Sequence, residues 1–141
     1  MSDSPNLLFV YGTLRRREEC AAARILAESA RYLGLGRTRG VLYALGEYPG
    51  LVSAPQEPQA WVIGELYRLR EPARVLPALD VYEGCGPHDP GPHEYARTVC
   101  DVVFEPGREA RAWVYLYCGS LRDSIRIVAG DYMSRLSIGK R

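Results

Sequence analysis

The chain has 141 residues, enough for one domain that buries a real hydrophobic core. Its 18 lysines and arginines nearly cancel 17 aspartates and glutamates, which speaks against a nucleic-acid partner, because that would need a clustered basic face. No apolar run reaches membrane-spanning length, and Met1-Ser2-Asp3-Ser4-Pro5-Asn6 lacks the basic and apolar regions of a secretion signal; a soluble, cytoplasmic protein without a membrane partner is expected.

In chain order, "NLLFVY" (6–11) reads as a buried strand, an apolar run free of breakers. From about Arg17 to Arg31 the chain is rich in Ala, Glu, Arg and Leu. Ala22, Ile25, Leu26 and Ser29 recur at helical spacing, so a helix is expected. Residues 32–45 read as extended and sharply bent, broken by Gly34, Gly36 and Gly40. "GEYPGLVSAPQEPQ" (46–59) reads as a turn-rich loop. "WVIGELYRL" (61–69) alternates as a strand does. "YARTVCDVVFE" (95–105) and "ARAWVYLYC" (110–118) form two more strands around a hairpin turn at "PGRE". The last twenty residues suggest a short helix and a tail.

Between the strands at 61 and 95 lies "REPARVLPALDVYEGCG" (70–86). Pro72 suits a first helical turn and Gly84 the position after the last, while Pro77 predicts a late start or a kink. Val75, Leu76, Leu79 and Tyr82 share a face that should be buried. Glu83 follows Leu79 by four positions and Leu76 by seven, on or beside that face. Burial and the negative end of the helix dipole both raise a carboxyl pKa, as suits a proton carrier near neutral pH. The plainer reading, a partly exposed helix-end glutamate, is left open by the pattern alone.

The cysteines Cys20, Cys85, Cys100 and Cys118 are scattered and make no C-x-x-C pair, so they read as thiols of a reducing compartment. Cys85, His88 and His93, with Asp89 and Glu94, carry metal-ligand chemistry in one short stretch. Its prolines and glycines impose no ligand geometry, and there is no second ligand pair. A polar lid is expected there, and no metal.

Seven pieces in order resemble the γ-glutamyl cyclotransferase-like family, especially its γ-glutamylamine cyclotransferase and AIG2-like branch: "FVYGTLR" (9–15), "GEYPGLV" (46–52), "GELYRL" (64–69), "LDVYEG" (79–84), "YAR" (95–97), "AWVYLY" (112–117) and "GDY" (130–132). The resemblance implies one α+β domain over 1–141, a small mixed-sheet β-barrel with flanking helices. It implies that Tyr11, Gly12, Thr13 and Leu14 cradle a small γ-glutamyl substrate, where Gly12 lets it approach backbone N–H groups. Tyr48, Tyr95, Arg97 and Tyr117 are carried over as further substrate-binding positions, and Glu83 as the catalytic acid and base. The implied reaction closes the substrate's α-amine onto its γ-carbonyl and releases 5-oxoproline and an amine, with no cofactor. The sequence departs from the pattern at "RRREEC" (15–20), where a glycine-containing turn is expected, and in the long Pro- and Gly-rich loop after Glu83. The competing reading is a ligand-binding or interaction protein that keeps the barrel without turnover.

Overall fold

The computed structural model describes residues 5–11, 21–45, 48–83, 85–86, 94–105, 107–128 and 130. Within them the order is β1 (Leu7–Val10), α1 (Ala21–Ser29), β2 (Ala30–Arg39), β3 (Val41–Leu45), β4 (Tyr48–Val52), β5 (Trp61–Leu69), α2 (Pro72–Tyr82), β6 (Tyr95–Glu105), β7 (Arg108–Tyr117) and β8 (Ile125–Arg126). Five strands close on themselves in the order β1-β5-β2-β6-β7, because β7 returns to pair with β1; β4, β3 and β8 continue the sheet from β7. The result is the expected mixed-sheet barrel with flanking helices.

Strand alternation divides the apolar side chains into two layers. Phe9, Val62, Leu66, Val102, Ala112 and Val114 pack together inside the barrel. Their neighbours along the same strands, Leu8, Val10, Tyr67, Leu69 and Tyr115, pack outside against Leu26 of α1 and Val75, Leu76 and Leu79 of α2. Helix α2 therefore lies on the barrel wall through Val75, Leu76 and Leu79, while Tyr82, expected on the same buried face, is exposed at the helix end.

Several local expectations are corrected. The bent segment at 32–45 is two strands, β2 and β3, divided at Gly40, whose φ of +149° belongs to glycine. A Cβ there would stand 2.9 Å from the Val52 carbonyl oxygen. The stretch read as a loop at 46–59 contains strand β4, paired with β3 from Leu45↔Tyr48 to Val41↔Val52. Tyr-Pro-Gly hides it, since proline and glycine are poor strand formers. Gly50 is needed there because a Cβ would lie 2.8 Å from Cβ of Tyr117, against which β4 rests.

Helix α2 neither starts late nor needs a break at Pro77: it begins at Pro72 and runs through Pro77. Pro77 and Ala73, the residue one turn earlier whose carbonyl loses its helical partner, are both exposed, so water can satisfy that carbonyl. Helix α1 is shorter than expected, because residues 30 and 31 already belong to β2. Near the carboxyl end the described residues contain β8 and no helix, and residues 131–141 lie outside the description. No helix among the described residues is long and apolar enough to cross a membrane.

Candidate active site

Strand β7 forks along one edge. Leu8 of β1 lies opposite Trp113, and Leu51 of β4 lies opposite Leu116. Between these contacts the ladder is open, and Tyr11 fills the opening from the end of β1. Its hydroxyl donates to the Tyr115 carbonyl at 2.5 Å and accepts from the Leu51 N–H at 3.1 Å. The side chain thus adds a link between β7 and β4 beside their pairing at Leu51 and Leu116. Gly12, Thr13 and Leu14, which follow Tyr11 in the chain and were expected to form the substrate cradle with it, lie outside the described residues.

Glu83 caps the carboxyl end of α2, its N–H donating to the Leu79 carbonyl at 2.9 Å. It is half-buried. Burial, and after it the nearby Asp80 carboxylate, push its carboxyl up to about 7. The Tyr11 hydroxyl is held well above its ordinary range, first by burial, with Tyr95, Glu83 and Cys100 adding to the shift while the Leu51 N–H opposes it. Glu83 therefore lies near enough to the Tyr11 hydroxyl, at the end of β1, to act on it electrostatically. At neutral pH such a carboxyl exchanges a proton at little cost in either direction.

Asp80, one helical turn before Glu83, is held from the barrel wall. Arg97 of β6 donates to it through Nε at 2.7 Å and Nη2 at 3.0 Å, and the Tyr115 hydroxyl donates at 2.7 Å. The Arg97 guanidinium also stacks on Trp113, 4.4 Å from the ring centroid. The bond to Asp80 raises the Arg97 pKa, and burial, then the same carboxylate, raise the Tyr115 hydroxyl. Neither Asp80 nor Tyr115 stood out in the sequence. Two carboxylates at i and i+3 where the dipole disfavours both was the available signal that a cation must lie near.

Tyr95 and Tyr117 are opposite one another on β6 and β7, with ring centroids 5.5 Å apart, edge to face. The Tyr95 hydroxyl donates to the Pro49 carbonyl at 2.7 Å and the Tyr117 hydroxyl to the Ser120 carbonyl at 2.6 Å. A cavity of about 400 Å³ opens beside these rings, bordered also by Leu45, Glu94 and Arg122. Tyr11, Glu83, Tyr95, Arg97 and Tyr117 thus gather around one end of the barrel. The backbone of Tyr48 is part of β4, and its side chain is outside the description, as are His88, Asp89 and His93. Cys85 is half-buried, takes part in no disulfide and packs against the layer beneath α2. Among the described residues no group of three or more His, Cys, Asp or Glu side chains could hold a metal ion.

Comparison with known proteins agrees with this architecture. The family described as γ-glutamyl cyclotransferase, AIG2-like, matches residues 8–134. The chain belongs to that family. It is 34% identical over 133 residues to a provisionally named γ-glutamylcyclotransferase of Vibrio cholerae, covering 93% of this chain and 98% of the relative. It is 28% identical over 130 residues to another of Methanocaldococcus jannaschii, covering 89% and 93%. The crystal structure of an AIG2-like protein from Mus musculus superposes with a TM-score of 0.67 at 28% identity, over 92% of this chain and 88% of that one. Family membership implies a small-molecule substrate.

Proposed function

We propose that the protein is a cytoplasmic γ-glutamyl cyclotransferase that converts a γ-glutamyl amine or γ-glutamyl amino acid to 5-oxoproline and a free amine. The observation that carries this reading is the Glu83 carboxyl, half-buried at the end of α2, within electrostatic reach of the Tyr11 hydroxyl and pushed up to about 7. Family membership supports it. Cys85, Cys100 and Cys118 are not joined in disulfides, which suits a reducing compartment.

In the proposed reaction the Tyr11–Leu14 turn receives the γ-glutamyl group and holds it bent, so that the α-amine meets the γ-carbonyl carbon. Ionised Glu83 takes a proton from the α-ammonium. The amine nitrogen then bonds to the carbonyl carbon, and negative charge develops on the carbonyl oxygen, where backbone N–H groups of the turn would stabilise it. Collapse breaks the bond to the leaving nitrogen, which receives the proton from Glu83; the ring nitrogen's remaining extra proton then passes through the same carboxylate to the departing amine, which leaves as an ammonium. Atoms and charges balance without a cofactor. Both reacting groups belong to one molecule, so positioning supplies much of the rate. Tyr48, Tyr95 and Tyr117 border the substrate in this reading, while Arg97 contributes through Asp80.

An assay of 5-oxoproline release across γ-glutamyl amines, γ-glutamyl amino acids and glutathione tests the proposal. Release from a member of the first two groups, lost in Glu83→Gln, is expected. Tight binding of these compounds without release by the wild type would favour the non-catalytic binding protein.

A further inference from the structure

We propose that Asp80, clamped by Arg97 and Tyr115, is a positioning residue for Glu83: it fastens the last turn of α2 to the β6–β7 hairpin and sets the charge that the Glu83 carboxyl faces. The inference rests on the reading of Glu83 as the proton carrier.

The geometry is that of a built fastener. The two carboxylate oxygens of Asp80 receive three donors, all within 3.0 Å: two from the Arg97 fork and one from the Tyr115 hydroxyl. Paired N–H bonds from arginine to a carboxylate are strong and directional. The pair is well shielded, with the Arg97 and Asp80 side chains 23% and 14% exposed, so it escapes most of the screening that weakens surface pairs. Trp113 holds the guanidinium from one face, and Tyr115 is itself buried. One turn further along α2 from Asp80 is Glu83.

Arg97 and Tyr115 lie opposite one another in the β6–β7 ladder. Two adjacent strands thus grip the helix together, and a slip of α2 would break all three bonds at once. Tyr115 has a second part in the site, because its carbonyl accepts the Tyr11 hydroxyl. One residue of β7 therefore touches both the helix that carries Glu83 and the side chain that closes the fork.

Asp80 from α2 itself and Tyr11 from the end of β1 act on the Glu83 carboxyl directly, while Arg97 of β6 and Tyr115 of β7 meet it through their bonds to Asp80. Asp80 and Arg97 are the charged side chains among them. A negative neighbour favours the protonated form of Glu83, and Arg97 offsets part of that effect. Asp80 and Arg97 should therefore move the titration of Glu83 in opposite directions. A role in rigidity alone would not produce opposite signs.

The experiment is a carbon-13 carboxyl NMR titration of Glu83, assigned with Glu83→Gln, in the wild type, Asp80→Asn and Arg97→Gln, each checked for folding by circular dichroism. The pH profile of kcat/KM for 5-oxoproline release from a γ-glutamyl alkylamide is measured beside it. Asp80→Asn should lower the Glu83 inflection by about one pH unit, with the acid limb of the profile following it. Arg97→Gln should raise the inflection. An unmoved inflection in folded Asp80→Asn protein, or a shift of the same sign in both variants, would overturn the proposal. If Asp80→Asn does not fold, Arg97→Gln decides: an upward shift supports the assignment and no shift refutes it. Because the titration needs no turnover, absence of 5-oxoproline from the wild type would sink the cyclotransferase reading and leave this test intact.

Discussion

The interior of the barrel and the layer between the barrel and α2 are built from alternate residues of the same strands, yet they differ in chemistry. Inside, Phe9, Leu66, Val102 and Val114 fill the space with carbon, and the Tyr11 ring brings a hydroxyl whose donor and acceptor capacities are both used. In the layer outside, Leu8, Val75 and Leu79 share the space with Tyr115, and the Arg97–Asp80 pair and Glu83 stand at its edge. The barrel supplies a stiff wall. The layer keeps one carboxyl satisfied by three donors and the other near its titration midpoint. In the proposed reaction, stability and proton chemistry are divided between the two faces of one sheet, and Tyr11 lies where they meet.

The largest test of that division is Glu83→Gln. The amide keeps the shape of the side chain but cannot carry the proton, so 5-oxoproline release should fall on the order of 10²–10⁴-fold, with substrate affinity largely kept. Turnover near the wild-type rate would show that the layer does not hold the chemistry.

The same substitution should stabilise the fold, and pH gives the sign. The folded Glu83 carboxyl titrates near 7 against an ordinary value of 4.5. The folded protein therefore holds this proton more tightly than the unfolded chain. Stability that Glu83 contributes in protonated form is fully present below about 4.5 and is lost as pH rises through about 7. Above pH 7 the wild type bears the full cost of an ionised, half-buried carboxylate, up to roughly 3 kcal/mol. Denaturant melts at pH 5 and pH 8 should show Glu83→Gln gaining on the wild type only at the higher pH. An equal difference at both values would mean that the carboxyl is not strained in the fold.

Tyr11→Phe probes the boundary from the other side. It leaves the Leu51 N–H and the Tyr115 carbonyl without the hydroxyl that joins them, at a cost of about 2 kcal/mol in unfolding free energy. The loss should be greatest in stability, with any loss of turnover following from a looser fork. Hydrogen exchange at Leu51 should speed up in parallel. An unchanged unfolding midpoint would mean that β4 and β7 hold together without the hydroxyl.

How far these arrangements could be read from the residues depended on distance along the chain. Local patterns located β5, α2, β6 and β7 well: the buried triad Val75, Leu76 and Leu79 lies on the face the periodicity marked. Strand β4 was hidden because its identity comes from partners, β3 on one side and Tyr117 on the other, while its own Tyr-Pro-Gly argues for a turn. Glu83 stood out because helix position and burial are local signals. The clamp did not, since Asp80 meets Arg97 and Tyr115 only after β6 and β7 have paired and α2 has packed on them. Arg97 was singled out by family resemblance as a substrate-binding position; its bonds to Asp80 are a long-range fact that no spacing encodes.

The smallest effect should come from the loop after α2. His88→Ala/His93→Ala should keep 5-oxoproline formation within roughly tenfold, since neither histidine carries a proton in the proposed reaction. Dialysis against a strong chelator should leave the rate unchanged. Cys85 gives a physical reason. It packs against the apolar layer beneath α2, and its N–H donates to the Asp80 carbonyl at 2.9 Å, which ties the start of the loop to the last turn of the helix. A zinc ligand would need its thiolate turned to the metal and to the other ligands of the set. If Cys85, His88 and His93 did hold zinc, both treatments would stop turnover and metal analysis would find near-stoichiometric zinc. The wall-and-layer division would then fail at its outer edge, because a metal-bound water could take over the proton chemistry assigned to Glu83.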